Sequence, residues 1–384
     1  MPKTIVYIGG FELPDKNAAA HRVINNSKAF RELGYKVVFI DASKDNNTSI
    51  DILKTKKEYF GFDTYSVPYP NRAKAWLNYL TDIKSFVKVI EKQHEVYMVI
   101  LYNFQAIAMR KMMSYCKRKG IKCCADVTEW RSAKGEGIAY RILKDSDTWY
   151  RMKVLHKKLD GLIVISSYLK RYYSKQANVA LVPTLVDTSE EKWNNPYKKS
   201  EDTLRLVYAG NPGLKDRLDI LISALLKVDR SYVLDIVGVT KEQFLQYFPE
   251  FTDTISKNKD IIFHGRVSHR EALDYVKRAN YSCFFREKDR VSNAGFPTKL
   301  AEALTCGTPV LTNKTSDIGK YTNTSQGIVI NDINDSSLIK GLTNAPYIMD
   351  VGISPFDYHS FIPRFRKFMI KEVENGYSTN KSDI

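Results

Sequence analysis

A strand and helix alternation that runs, halts and runs again governs this sequence. Short β-branched runs at 4–8, 36–40, 96–101, 122–125 and 162–165 read as strands. Between them lie helical patterns, such as the apolar face of Ala20, Val23, Ile24, Ala29, Phe30 and Leu33, which Gly34 terminates. A polar stretch at 188–203 then has the composition of a linker. The rhythm restarts at 206–208, 233–237, 261–263, 282–285 and 309–312, with helices expected from Asp216, Arg270, Pro297 and Ser336. Strand, helix, glycine, strand is the signature of a parallel α/β sheet. The expectation is two doubly wound, Rossmann-like domains at 1–187 and 204–353, joined by 188–203. The aromatic, basic segment 354–384 is expected to pack back on the first domain. Open parallel sheets bind ligands beyond the carboxyl ends of their strands, so two such domains facing each other would form a central cleft.

A length of 384 residues suits two cores better than one. No apolar run approaches the ~20 residues of a membrane helix, and the first residues read as a strand rather than a signal peptide, so a cytoplasmic location is expected. Cys116, Cys123, Cys124, Cys283 and Cys306 are odd in number and lack paired spacing, which disfavours both disulfides and a zinc site. The net charge of +16 calls for an anionic partner: nucleotide, phospholipid or nucleic acid. Nucleic acid ranks last, because no helix-turn-helix, zinc-finger or RNA-recognition pattern organises the charge. Much of that charge lies in the first half, in Arg110-Lys111, Lys117-Arg118-Lys119, Arg151/Lys153/Lys157/Lys158 and Lys170-Arg171. These clusters suit peripheral binding to an anionic membrane surface, and solvated helix faces would look the same.

The most specific stretch is NAGFPTKLAEALTCGTPV at 293–310. A glycine turn, a proline at a helix start and a following strand present backbone N–H groups to a ligand. Lys299 adds charge, and Glu302 offers a carboxylate to a vicinal diol. An amphipathic helix burying Leu300, Ala301, Ala303 and Leu304 would show the same spacing. The stretch resembles the donor-site signature of glycosyltransferase family 4, in which one Glu precedes Gly-Phe and a second follows after seven intervening residues. Glu302 matches the second; the first falls on Ala294. Asn293 and Glu287 are candidates to replace it.

The segment LVYAGNPGLKDRLDILISAL at 206–225 is similar to the strand, glycine turn and lysine that bind donor phosphates in that family. A cation there would stabilise the charge developing on the leaving diphosphate. Lys215 is the candidate, and because Asn211 stands where the family often has Arg, Arg286 and Lys299 are candidates to complete the clamp. FHGRVSHREALDYVKRANY at 263–281 resembles the element that covers the base, which implicates Arg266; His264 and His269 are given no catalytic role. Gly210, Asn211, Lys215, Arg266, Arg286, Gly295, Phe296, Pro297, Thr298, Lys299 and Glu302 form the implied donor set. In the first half, the run YIGGFELPDKNAAAHRV resembles the first loop of GT-B enzymes, with Gly9, Gly10, His21 and Arg22 on the acceptor side. Asp126 and Glu129, expected just after a strand, compete as the carboxylate that orients the acceptor hydroxyl; helix capping would use either equally well.

The resemblance implies a GT-B fold and a retaining, metal-independent transfer with no cofactor. The donor is a nucleotide-diphosphate sugar, and the acceptor a glycan or polyprenyl-linked glycan of surface polysaccharide assembly. The alternative is a noncatalytic nucleotide- or glycan-binding protein of the same fold. A nicotinamide-dependent dehydrogenase is disfavoured because the first turn is GGFELP rather than GxGxxG, and a sugar-nucleotide epimerase would share the fold.

Overall fold

The computed structural model describes residues 2–45, 51–130, 137–176, 178–210 and 216–378, without the side chains of 139–140 and 371–378. The chain divides into two compact units, 1–185 with 358–384, and 186–357.

The first unit runs β1 (Thr4–Gly9), α1 (Ala18–Glu32), β2 (Lys36–Ser43), β3 (Lys57–Tyr59), β4 (Phe62–Pro68), α2 (Ala73–Thr81), α3 (Lys84–Ile90), β5 (Val96–Tyr102), α4 (Ala106–Lys119), β6 (Lys122–Val127), α5 (Ile138–Tyr150), β7 (Gly161–Val164), α6 (Ser167–Tyr172) and β8 (Val179–Leu181). Its strands order as β3-β4-β2-β1-β5-β6-β7-β8. All neighbours are parallel except β3 and β4. Helices cover both faces of such a sheet, so β1 is buried along its whole length. Asn17 caps α1 by accepting from Ala20 N at 2.9 Å.

The second unit runs β9 (Leu204–Ala209), α7 (Leu218–Leu225), β10 (Tyr232–Val237), α8 (Lys241–Tyr247), α9 (Thr252–Lys257), β11 (Ile261–Gly265), α10 (His269–Arg278), β12 (Tyr281–Phe284), α11 (Arg290–Ala294), α12 (Thr298–Thr305), β13 (Val310–Asn313), α13 (Ile318–Tyr321), β14 (Gly327–Ile330) and α14 (Asp335–Thr343). Its six strands, ordered β11-β10-β9-β12-β13-β14, are all parallel.

The chain then returns to the first unit through a last helix, α15 (Ile362–Ser378). Tyr358, Phe361, Phe365, Phe368 and Met369 join the core built by β1 and α1. The rings of Phe30 and Phe365 meet edge-on at 4.9 Å, and Asn178 Nδ2 donates to Phe368 O at 3.0 Å. α1 packs against both α15 and the sheet, and it buries Arg22, Asn25, Asn26, Ser27 and Lys28 as well as its apolar face.

The polar stretch 188–203, expected as a linker, is instead built onto the second unit. Trp193 is buried. Asn195 Nδ2 donates to the carbonyls of Lys277 and Cys306, and Lys199 Nζ to those of Lys277 and Ala279 and to Thr308 Oγ1. Its polarity serves as hydrogen-bond donors to helix and strand ends rather than as solubility. Among the described residues no helix is long and apolar enough to cross a membrane.

Candidate functional site

In the second unit the candidate residues gather at the carboxyl end of the sheet, where β9 stops at Gly210. That glycine has φ of +138°, and a Cβ on it would sit 2.9 Å from Lys299 Nζ. Gly238, at φ of +106°, lets β10 end against it, since a Cβ there would lie 2.6 Å from Gly210 O. Asn211 and Lys215, both expected in the donor set, lie outside the described residues.

Where the description resumes, Asp216 pairs across an isolated antiparallel bridge with Arg286, just past β12. Its carboxylate is buried and accepts from Arg286 Nε at 2.7 Å, Lys299 Nζ at 2.7 Å and Tyr208 Oη at 2.8 Å. Burial alone would raise its pKa, but the Lys299 ammonium and the Arg286 guanidinium outweigh that and hold the group well below the usual carboxylate range. Lys299 also stands over the Tyr208 ring, 4.9 Å from its centroid. Two cations expected to clamp a diphosphate are thus brought together, by a carboxylate that sequence reasoning did not single out. An aspartate just before a helix reads as a cap; here α7 starts at Leu218, and Asp216 turns inward.

Around this cluster the expected residues divide by role. Pro297 is the residue before α12, so Thr298, Lys299 and Glu302 occupy its first turn and a half. The Phe296 side chain is buried against Tyr321 and Phe356, each ring 5.7 Å away, which leaves its backbone to any ligand. Gly295 O accepts from Ser316 Oγ. Glu302 is half-buried, with Oε1 3.4 Å from His269 Nε2. Arg266 is exposed just beyond Gly265, which has φ of +64°. Ala294, at the missing first carboxylate, is fully buried. Its suggested replacements are engaged elsewhere: Asn293 Oδ1 accepts from Ser316 N at 3.0 Å, and Glu287 pairs with Arg217.

In the first unit the structure corrects the reading of Asp126. The strand expected to end at 125 continues to Val127, so Asp126 lies inside β6, opposite Tyr102 on one side and Ile163 on the other. It has no exposed surface. Arg22 Nε lies 3.0 and 2.9 Å from its two oxygens, and Nη2 lies 2.7 Å from Oδ1. Tyr7 Oη donates to Oδ2 at 2.5 Å, and Asn26 Nδ2 adds a bond at 3.3 Å. Arg22 spends Nη1 on the carbonyls of Val182 and Pro183, at 3.0 and 2.9 Å. Arg22 and Asp126, expected on the acceptor side, therefore satisfy each other inside the fold and tie α1, β1 and β6 to the end of the sheet.

Glu129 does lie beyond β6 and is half-buried, with Oε1 3.5 Å from Asn103 Nδ2. Asn103, at φ of +42°, exchanges bonds with Thr128 Oγ1 and N and so fixes that loop. Gly9 is a packing glycine: a Cβ there would come within 2.6 Å of Tyr102 Cβ and O. Gly10 is exposed, with Tyr79 Oη 3.3 Å from where its Cβ would be, and His21 is half-buried on α1.

Residues 189–345 match the family model of the glycosyl transferases group 1. No protein of curated function matches the sequence. Among solved structures, the chain is similar to the catalytic domain of starch synthase IV from Arabidopsis thaliana bound to ADP and acarbose. There the TM-score is 0.71 at 11% identity, covering 97% of this chain and 100% of that one. It is similar to a sucrose-phosphate synthase from Thermosynechococcus elongatus, with TM-score 0.68 and 14% identity over 99% and 98%. The lipopolysaccharide outer core galactosyltransferase WaaB gives 0.64 and 13% over 96% and 99%. The chain has the GT-B fold of two Rossmann-like units, and its second unit is related to the glycosyl transferases of group 1.

Proposed function

We propose that this chain is a retaining, metal-independent glycosyltransferase. It moves a sugar from a nucleotide-diphosphate donor to a glycan or polyprenyl-linked glycan in surface polysaccharide assembly. The observation that carries this reading is the pair of cations, Lys299 and Arg286, held on one buried carboxylate beside the start of α12. One aspartate balances one of the two, and the surplus positive charge suits a diphosphate whose negative charge grows as the glycosidic bond breaks. The donor phosphates are also assigned to Gly210, Asn211 and Lys215, the last as the cation of the glycine turn. The backbone of Gly295, Phe296, Pro297 and Thr298 meets the sugar, Glu302 accepts from the ribose hydroxyls, and Arg266 contacts the base. On the acceptor side Glu129 orients the hydroxyl beside Gly10 and His21, while Gly9, Arg22 and Asp126 hold the loops that carry them.

The acceptor is met at the cytoplasmic face of an anionic membrane. In support, α5 exposes Ile138, Ile142, Leu143 and Trp149 in the same helix as Arg141 and Lys144. Vesicle cosedimentation that vanishes as salt rises is the expected behaviour; no binding to anionic vesicles at any salt would remove this part of the reading.

A mass-spectrometric turnover screen of nucleotide sugars, with and without pooled glycan and polyprenyl-linked acceptors, tests the whole. Acceptor-dependent transfer with the anomeric configuration preserved is expected. Donor binding without transfer would favour the noncatalytic alternative, which the burial of Ala294 supports, and a converted donor sugar without acceptor would indicate an epimerase.

A further inference from the structure

The first unit carries a second concentration of positive charge, which takes in the Lys170-Arg171 cluster and is remote in sequence from the donor set. A cavity of about 670 Å³ opens along the edge strand β8. Lys170 and Arg171 reach its rim from the last turn of α6, and Arg364 and Lys367, one helical turn apart, from α15. Among the described residues, no carboxylate lines it. Among the described residues, none of the four cations stands in an ion pair. Arg364 Nη1 donates to Leu181 O at 2.7 Å, and its guanidinium lies 4.9 Å from the Phe361 ring centroid, so it is set in place before any ligand arrives.

Four cations converging on one cavity repel each other, and the fold tolerates this because Phe365 and Met369 anchor α15 in the core. The repulsion is relieved by an anion. Two guanidinium forks and two ammonium groups match phosphate oxygens better than a single carboxylate. The volume far exceeds that of one water, roughly 30 Å³, so there is room for more than a bare ion. Val179 and Leu181, partly exposed on β8, line the cavity and supply apolar surface for the remainder. We propose that the cavity between α6, β8 and α15 is a binding site for a phosphate-bearing group, separate from the donor site.

Two sources share this chemistry: a soluble phosphorylated compound and a phospholipid headgroup. Lys170→Ser with Lys367→Ser removes two exposed cations and leaves Arg364, with its backbone bond, intact. Pyrophosphate binding by calorimetry and cosedimentation with phosphatidylglycerol vesicles are compared in wild type, this double variant, its Lys→Arg counterpart and Lys299→Ala. The expected result is a loss of about tenfold or more in the double variant, with unchanged melting and rescue by arginine. Loss of pyrophosphate alone identifies a soluble ligand; loss of vesicle binding identifies the headgroup. Wild-type behaviour of the double variant in both assays overturns the proposal. So does a loss that Lys299→Ala reproduces in full, because the anion would then sit in the second unit.

Discussion

Both units bury an aspartate against an arginine and a tyrosine hydroxyl, and the two clusters close their charge differently. In the first, Asp126 faces one cation, Arg22, which also bonds two carbonyls. In the second, Asp216 faces two, Arg286 and Lys299, with one carboxylate to share. A balanced cluster has no call for a ligand and acts as a brace. An unbalanced one keeps a positive surplus at the end of a sheet, where a phosphate is best received. On the proposed reading, the same three residue types give a structural lock or an anion site, depending on one additional lysine.

The largest effect is expected from breaking the lock. Asp126→Ala strands Arg22 as an unpaired buried charge and should cost about 3–5 kcal/mol of stability, read as a lowered urea midpoint. Full stability with lost transfer would break the comparison and make Asp126 an acceptor-side base after all. Next, Lys299→Ala removes the surplus charge and should lower donor turnover about 10²- to 10³-fold, or about 2.7–4 kcal/mol, while the folded state survives. Unchanged turnover would reduce the second cluster to a brace as well. Glu302→Ala should weaken nucleotide-sugar affinity by about 1.5–3 kcal/mol, the worth of a hydrogen bond to a charged group, with phosphate-only ligands unaffected.

The smallest effect separates the units by pH. Burial, reinforced by Arg151, pushes His156 well below its ordinary 6.5, so the unfolded chain takes that proton first. Its contribution is intact above pH 6.5 and falls as the pH drops below that value. Asp216 works in the other range: its lowered pKa stabilises the fold above the ordinary 3.8 and fails only as pH drops beneath that value. Hydrogen exchange should therefore show the first unit loosening before the second on acidification, and His156→Gln should erase the early phase.

The sequence displayed most of the parallel strands and their restart because short apolar or β-branched runs alternate with helical patterns and carry a period. It hid β3 and β8, three residues each, which are too short to carry one, and the four-residue β14 and seven-residue β4 also escaped. β6 runs two residues past the expected strand end, which puts Asp126 inside the sheet against Arg22 rather than in a loop. The region around Glu302 was legible because helix start, lysine and carboxylate are local. Asp216 with Lys299, and Lys170 with Lys367, were not legible as pairs, since 83 and 197 residues separate them and only the sheet order brings them together.

The return of α15 to the first unit also sets an order of events during synthesis. The second unit is continuous and can close as soon as it has left the ribosome. The first unit emerges earlier yet lacks Phe365, Phe368 and Met369, which complete its core. At 5–20 residues per second, the interval between residues 185 and 369 lasts roughly ten to forty seconds. During that time the outer side of α1 is exposed and the nascent chain offers a hydrophobic surface to any chaperone able to hold it. Release of the last helix, rather than emergence of the first strand, times the completion of the fold.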